Sequence, residues 1–160
     1  MFNTTQLDRV TLRLINHKHA ACLFDILNHP QVSKFNDYET PLSNTQIKQL
    51  IQDDISAYYE GEVVRVAIEH NITGKLMGTC GLYNLTPCKS SAFIGFELHP
   101  DFWDKGVMFE VVTGFIEALL EHIPLKHLSA EVSAHNARSH NLLIKLGFSL
   151  RENSIWQKSL

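Results

Sequence analysis

Apolar and polar positions along the chain follow two periods, and the switches between them mark out the elements. Arg9 to Leu14 alternates polar and apolar side chains, as a half-buried strand does. Asn16 stands as an N-cap before Ala20, Leu23, Phe24 and Leu27, an apolar face at helical spacing that ends at His29-Pro30. Residues 31–42 are polar, carry Pro41 and read as a loop. Ser43 with Gln46 three positions on forms a capping box, opening a helix with Ile47, Leu50, Ile51, Ile55 and Tyr58 on one face. Beyond Gly61 the period falls to two, so residues 63–69, 75–83 and 91–98 read as strands, with a turn at 71–74. Helical period returns at Val107, Met108, Val111, Val112, Phe115, Ile116, Leu119 and Leu120, and Glu110, Thr113, Glu117 and Glu121 mark the wet side. Pro124 ends that helix, and Leu128, Ala130 and Val132 alternate in the next strand. Asn136 caps a last helix closed by Gly147, and residues 148–150 and 154–158 pair as a terminal hairpin.

Strand 91–98, helix 107–122 and strand 127–133 make a β-α-β crossover, so those two strands should lie parallel. Between the first strand and the helix lies Pro100-Asp101-Phe102-Trp103-Asp104-Lys105-Gly106. A short polar turn that opens a helix presents unpaired backbone N–H groups at the positive end of the helix dipole. Such a loop suits a phosphate or diphosphate, and it lies at the carboxyl end of a strand, where α/β sheets bind ligands.

Composition narrows the picture by exclusion. The chain has 160 residues and a formal net charge of −3, without a run of Lys or Arg, which argues for one domain and against a nucleic-acid surface. No apolar stretch spans a bilayer and no signal-peptide pattern opens the chain, so a cytoplasmic protein with no membrane partner is expected. Cys22, Cys80 and Cys88 lack zinc-type spacing and read as reduced thiols, buried or half-buried. The nine histidines fit no ligand pattern, so no metal is expected.

The loop and a second motif, Asn136-Ala137-Arg138-Ser139 running to Leu146-Gly147-Phe148, carry a resemblance. In this element order the chain resembles the GNAT superfamily of acyl-CoA-dependent N-acetyltransferases, most closely its ribosomal-protein N-terminal acetyltransferase branch. The similarity extends from Thr11-Leu12-Arg13-Leu14 to Gly147-Phe148. It implies an α/β (α+β) fold with a central, mixed and mostly antiparallel sheet of six to seven strands and four helices, in one domain over residues 1–160. A splayed parallel strand pair should mark the CoA site.

Site residues follow from the same resemblance. Trp103, Asp104, Lys105, Gly106, Val107 and Met108 occupy the loop that binds the CoA diphosphate. Only the central glycine of the family's Arg/Gln-x-x-Gly-x-Gly/Ala pattern is kept. Met108 replaces a small residue, and Asp104 places a carboxylate beside the diphosphate, to be offset by Lys105. Asn136 and Ser139 would lie along the pantetheine arm, and the backbone N–H of Leu98 would meet the acyl carbonyl. Leu143 stands where many relatives carry a tyrosine, leaving Ser139, or a water held by it, as the candidate acid for the departing thiolate. Read from the residues alone, Asn136 is a plain N-cap and Ser139 an ordinary first-turn residue; the resemblance reverses that preference.

Glu97 is the first candidate base, with His99 next and Glu131 and His135 behind them. Each also fits an ordinary solvated position. Phe35, Tyr38 and Tyr58 are candidates for an aromatic acceptor wall or for the core. The resemblance implies transfer of an acetyl group from acetyl-CoA to a primary amine, first of all a protein N-terminal amine. A small-molecule amine (polyamine, amino acid or aminoglycoside) and a non-catalytic acyl-CoA-binding module stay open, as does a homodimer.

Overall fold

The computed structural model describes residues 2–160. Its strands are β1 (Thr5–Gln6), β2 (Val10–Leu14), β3 (Val64–His70), β4 (Leu76–Tyr83), β5 (Ser91–Leu98), β6 (His127–Glu131), β7 (Ser149–Glu152) and β8 (Ile155–Ser159). Its α-helices are α1 (Ala20–Leu27), α2 (Pro30–Ser33), α3 (Asn44–Glu60), α4 (Val107–Leu120) and α5 (Ala137–Lys145). All strands join one sheet in the order β1-β2-β3-β4-β5-β6-β8-β7. Each neighbouring pair is antiparallel except β5 and β6.

Alternation along β3 sends side chains to opposite faces of the sheet. Val64, Val66 and Ile68 join one core with Val111, Val112, Phe115 and Leu119 of α4. Ala67 joins a second core with Leu23, Ile26 and Leu27 of α1, Val32 of α2, and Ile47 and Ile51 of α3. Helices thus cover both faces of the central strands, which is why seven of the eight β4 residues are buried.

Eight strands and five helices exceed the six to seven and four expected, because two short elements carry too few residues to show a period. β1 has two residues, and α2 is a four-residue turn inside the stretch read as a loop. Pro30 occupies its first turn and His29 caps it through Nδ1, so a proline that ends α1 also begins α2. Asn16 caps a 3₁₀ turn at His17–His19 that leads into α1. The capping box of Ser43 and Gln46 forms with both hydrogen bonds. Leu50 and Leu120, placed on the apolar faces of their helices, are instead exposed. Cys88 is likewise exposed, and all three cysteines are free thiols.

Candidate active site

β5 and β6 pair only at Ser91 with His127, Ala92 with Leu128, and Phe93 with Ser129. Past Phe93 the strands part. β5 runs on to Leu98 with β4 alone beside it, while β6 keeps β8 through Ala130 and Glu131. The opening is walled by Phe96, Glu97 and Leu98 on one side and by Asn136 and Ser139 on the other. Two clefts lead away from it and share Phe35, Asn36, Phe96, Glu97, Asn136 and Ser139.

The first cleft, about 280 Å³, runs between the Trp103–Met108 loop and α5. Asp104 (φ 58°) and Gly106 (φ 74°) both sit in the left-handed region, and Gly106 is the N-cap of α4 with no side chain capping it. Glycine suits that position because it adopts positive φ without steric cost, and its missing side chain leaves the first-turn N–H groups open to an anion. Asp104 does not rely on Lys105. Its carboxylate takes hydrogen bonds from Arg138 Nε and Nη2 at 3.2 and 3.4 Å, and the Arg138 guanidinium stacks on the Trp103 ring at 4.0 Å. Lys105 turns away, donating from Nζ to the Asp101 carbonyl, and is absent from the cleft wall. Trp103 is pinned from below by its own Nε1–H to the Leu98 carbonyl at 2.8 Å. Val107, Met108, Phe109, Leu142 and Lys145 complete this wall.

The second cleft, about 380 Å³, opens on the face that carries Glu97. Sheet register sets Glu97, Arg65 and Gly95 along it. Ala67, Thr79 and Glu97 lie side by side across β3, β4 and β5, and the next row is Arg65, Gly81 and Gly95. Thr79, fully buried, donates from its hydroxyl to Glu97 Oε1 at 2.6 Å and holds that carboxylate in place. Gly81 lets Arg65 lie flat, since a Cβ there would stand 3.1 Å from Arg65 Nε and 2.8 Å from the Val64 carbonyl. Arg65 sits 3.5 Å from Asp54, whose carboxyl is raised by burial and drawn back by Arg65. Asp37, Glu97 and Glu131 therefore outnumber the one cationic lining side chain, Arg65. Burial raises the Tyr83 hydroxyl pKa, and the charges of Glu131 and Asp37 raise it further.

The fold brings Glu97, Leu98, Trp103, Asp104, Gly106, Val107, Met108, Asn136 and Ser139 into one connected cavity. Asn136 is also a true N-cap, its Oδ1 accepting the Ser139 N–H at 3.2 Å, so the plain reading and the site reading hold together. Leu143 is fully buried. His99 caps the 3₁₀ turn at Pro100–Phe102 through Nδ1, and neither it nor His135 lines the cavity. Of Phe35, Tyr38 and Tyr58, the candidate acceptor-wall aromatics, Phe35 alone lines the site. Tyr38 donates to the Leu27 carbonyl and takes Asn36 Nδ2, while Tyr58 accepts the Phe2 N–H; both belong to the core. Reading the sequence missed Arg138, Asp37 and Arg65. Arg138 lies inside the quoted motif, but nothing in spacing alone tells which way a helix-start arginine turns. Among the described residues no cluster of His, Cys, Asp or Glu could hold a metal, and no helix is long and apolar enough to cross a membrane.

Residues 9–149 match the family model described as an acetyltransferase (GNAT) domain. An uncharacterised N-acetyltransferase of Bacillus subtilis strain 168, YoaA, is 30% identical over 148 residues, covering 92% of this chain and 84% of its own. Among solved structures, RimL, a ribosomal L7/L12 α-N-protein acetyltransferase in complex with coenzyme A, superposes with a TM-score of 0.88 at 14% identity, over 98% of this chain and 97% of its own. The microcin C7 self-immunity acetyltransferase MccE, in complex with acetyl-CoA and AMP, superposes with a TM-score of 0.83 at 17% identity, over 96% and 94%.

Proposed function

Because the chain belongs to the GNAT acetyltransferase family and uses acetyl-CoA as its acyl donor, we propose that it acetylates the α-amine of a peptide N-terminus held in the second cleft. The observation that carries this reading is the meeting of the two clefts at Glu97 and Ser139, in the opening between β5 and β6. Donor and acceptor entering from opposite sides would meet there, and juxtaposition of that kind is worth roughly 7–11 kcal/mol of barrier. The likeness to RimL supports an α-amine. So does the terminal hairpin, which contributes only Ser154 to the second cleft and leaves room for a chain to continue.

The donor cleft fits the group by its own geometry. Its uncapped helix start and the left-handed Gly106 suit a diphosphate, and the cleft runs on from there along α5 to the opening at Glu97 and Ser139. Trp103, Asp104, Lys105, Gly106, Val107 and Met108 form the diphosphate loop, with N–H groups rather than side chains making most contacts. Arg138 supplies the cation that neutralises Asp104. Asn136 and Ser139 line the arm. When bound, acetyl-CoA supplies an activated thioester carbonyl.

The residues then divide four tasks. The Leu98 backbone N–H polarises the carbonyl oxygen. Glu97, oriented by Thr79, draws in the ammonium and takes its proton through water. Asp37 and Glu131 add to the field that attracts a cation. As the C–N bond forms and the C–S bond breaks, Ser139 passes its proton to the departing thiolate and takes the nitrogen's second proton in its place, since Leu143 has none to give.

A second reading, a small polyamine acceptor, is favoured by the excess of Asp37, Glu97 and Glu131 over Arg65. The deciding experiment offers acetyl-CoA with free-amine peptides, the same peptides blocked at the N-terminus, and a diamine. Acetylation confined to free α-amines, placed there by mass spectrometry, supports the proposal. Turnover of the diamine alone would replace it with the second reading.

A further inference from the structure

The N-terminal segment reaches the donor loop through one side chain that neither motif contains. Arg9, just before β2, donates from Nε to Glu110 Oε2 at 2.7 Å, and its backbone N–H donates to Glu110 Oε1 at 2.9 Å. Glu110 lies in the first turn of α4, its side chain mostly buried, so both carboxylate oxygens are committed to Arg9. With the guanidinium fixed in this way, Nη1 donates to the Lys105 carbonyl at 2.7 Å. Nη2 lies 3.7 Å from where a Cβ of Gly106 would stand.

The Lys105 carbonyl and the Gly106 N–H belong to one peptide unit, and in a planar trans peptide they point in opposite directions. A hydrogen bond that holds the carbonyl on the Arg9 side therefore holds the N–H on the other side. Gly106 is among the residues that line the donor cleft. The restraint matters here because Gly106, on one side of this unit, is left-handed, and so is Asp104 one residue before Lys105. A peptide next to a glycine flips readily, and a flipped unit would present a carbonyl to an anion in place of an N–H.

We infer that Arg9 is a positioning residue that latches the Lys105–Gly106 peptide with its N–H toward the diphosphate of the donor. This rests on the loop being the diphosphate site, as proposed above. Arg9 does not touch the donor; it acts through the peptide, with Glu110 as its anchor. The latch serves only the part of the donor that carries phosphate, and its loss should leave the acyl end unaffected.

The test is binding to the intact chain, which needs no acceptor and so stands apart from the identity of the amine. Calorimetry would compare acetyl-CoA with S-acetylpantetheine, which lacks the diphosphate, on wild type, Arg9→Ala, Arg9→Lys and Glu110→Gln. Arg9→Ala is expected to weaken acetyl-CoA about tenfold and leave S-acetylpantetheine unchanged. Arg9→Lys can still reach the Lys105 carbonyl but cannot fork, and should recover part of the loss. Glu110→Gln should weaken acetyl-CoA by less than Arg9→Ala. Equal weakening of both donors in Arg9→Ala, or no weakening of either, would overturn the inference. If Arg9→Ala does not fold, Arg9→Lys carries the same comparison by itself.

Discussion

The two clefts share a mouth but are built from different material. The donor cleft draws mostly on two short stretches, residues 96–109 and 136–145, with Gln31, Val32, Phe35 and Asn36 beside them. Its proposed binding groups are backbone N–H groups and caps. The acceptor cleft gathers Asp37 from the segment before α3, Arg65 from β3, Tyr83 from β4, Glu97 from β5 and Glu131 from β6. Its proposed binding groups are side chains, brought together by strand register and by the loop that carries Asp37. A donor common to a whole family can be recognised by a short segment, whereas an acceptor is selected by side chains that vary independently.

The sharpest way to test that division is Glu97→Gln. If Glu97 serves the acceptor side, kcat should fall by roughly 10²–10⁴, the usual worth of a positioned base, with acetyl-CoA affinity unchanged by calorimetry. An equal loss of donor affinity would place Glu97 in the donor site instead.

Ser139 stands at the junction and should respond on both counts more weakly. Ser139→Ala is expected to lower kcat about tenfold, short of a full positioned acid because water can protonate a thiolate. Stopped-flow release of free thiol would show the loss directly.

On the donor side alone, Asp104→Asn should tighten acetyl-CoA binding. It removes a carboxylate from beside the diphosphate and frees Arg138 from its fork. Both groups are substantially exposed, so the gain should be only about two- to fivefold and should shrink with added salt. Weaker binding would mean that Asp104 holds Arg138 and Trp103 in their working positions.

The smallest effect is a baseline remote from both clefts. Glu69 meets Arg13 at 2.6 Å, Lys18 at 3.5 Å and His19 Nε2 at 3.6 Å. Burial lowers the His19 pKa, with Glu69 pulling the other way, and its Nδ1 accepts the Asn16 N–H, so the ring is held neutral. Burial pushes Glu69 up, but the Arg13 hydrogen bond and the Lys18 and Arg13 charges outweigh it and hold its pKa below the usual value. For both groups the unfolded chain binds protons more readily than the fold does. Stability should therefore fall as pH drops below about 6.5 through His19, and again below about 4.5 through Glu69. Thermal melts across pH would show it, and His19→Gln should remove the upper step. Activity profiles that merely track those melts would report on the fold and not on Glu97.

How much of this was legible beforehand varies with the range of the interactions. The capping box at Ser43 and Gln46, the N-cap at Asn136 and the amphipathic period of α4 are local, and each appears in the fold at its expected place. The short α2 and β1 were not legible, because neither is long enough to show a period. Tyr38 and Tyr58 fell to the core because their hydroxyls found backbone partners in distant segments. Lys105 and Arg138 are both cations near Asp104, and the sequence put the nearer one in the pair. The structure uses the one 34 residues away, because Arg138 can also stack on Trp103.

The sequence by itself determined the longer elements, their order and the backbone chemistry of the donor loop, since periodicity, caps and a glycine at a helix start act within a few residues. Tertiary structure alone decided where β5 and β6 part, which carboxylates face the gap, and that Arg9 reaches the Lys105 carbonyl. Those depend on register and reach between segments up to 101 residues apart. No local propensity encodes them. They emerge only once burial of both sheet faces has set every strand against its neighbours.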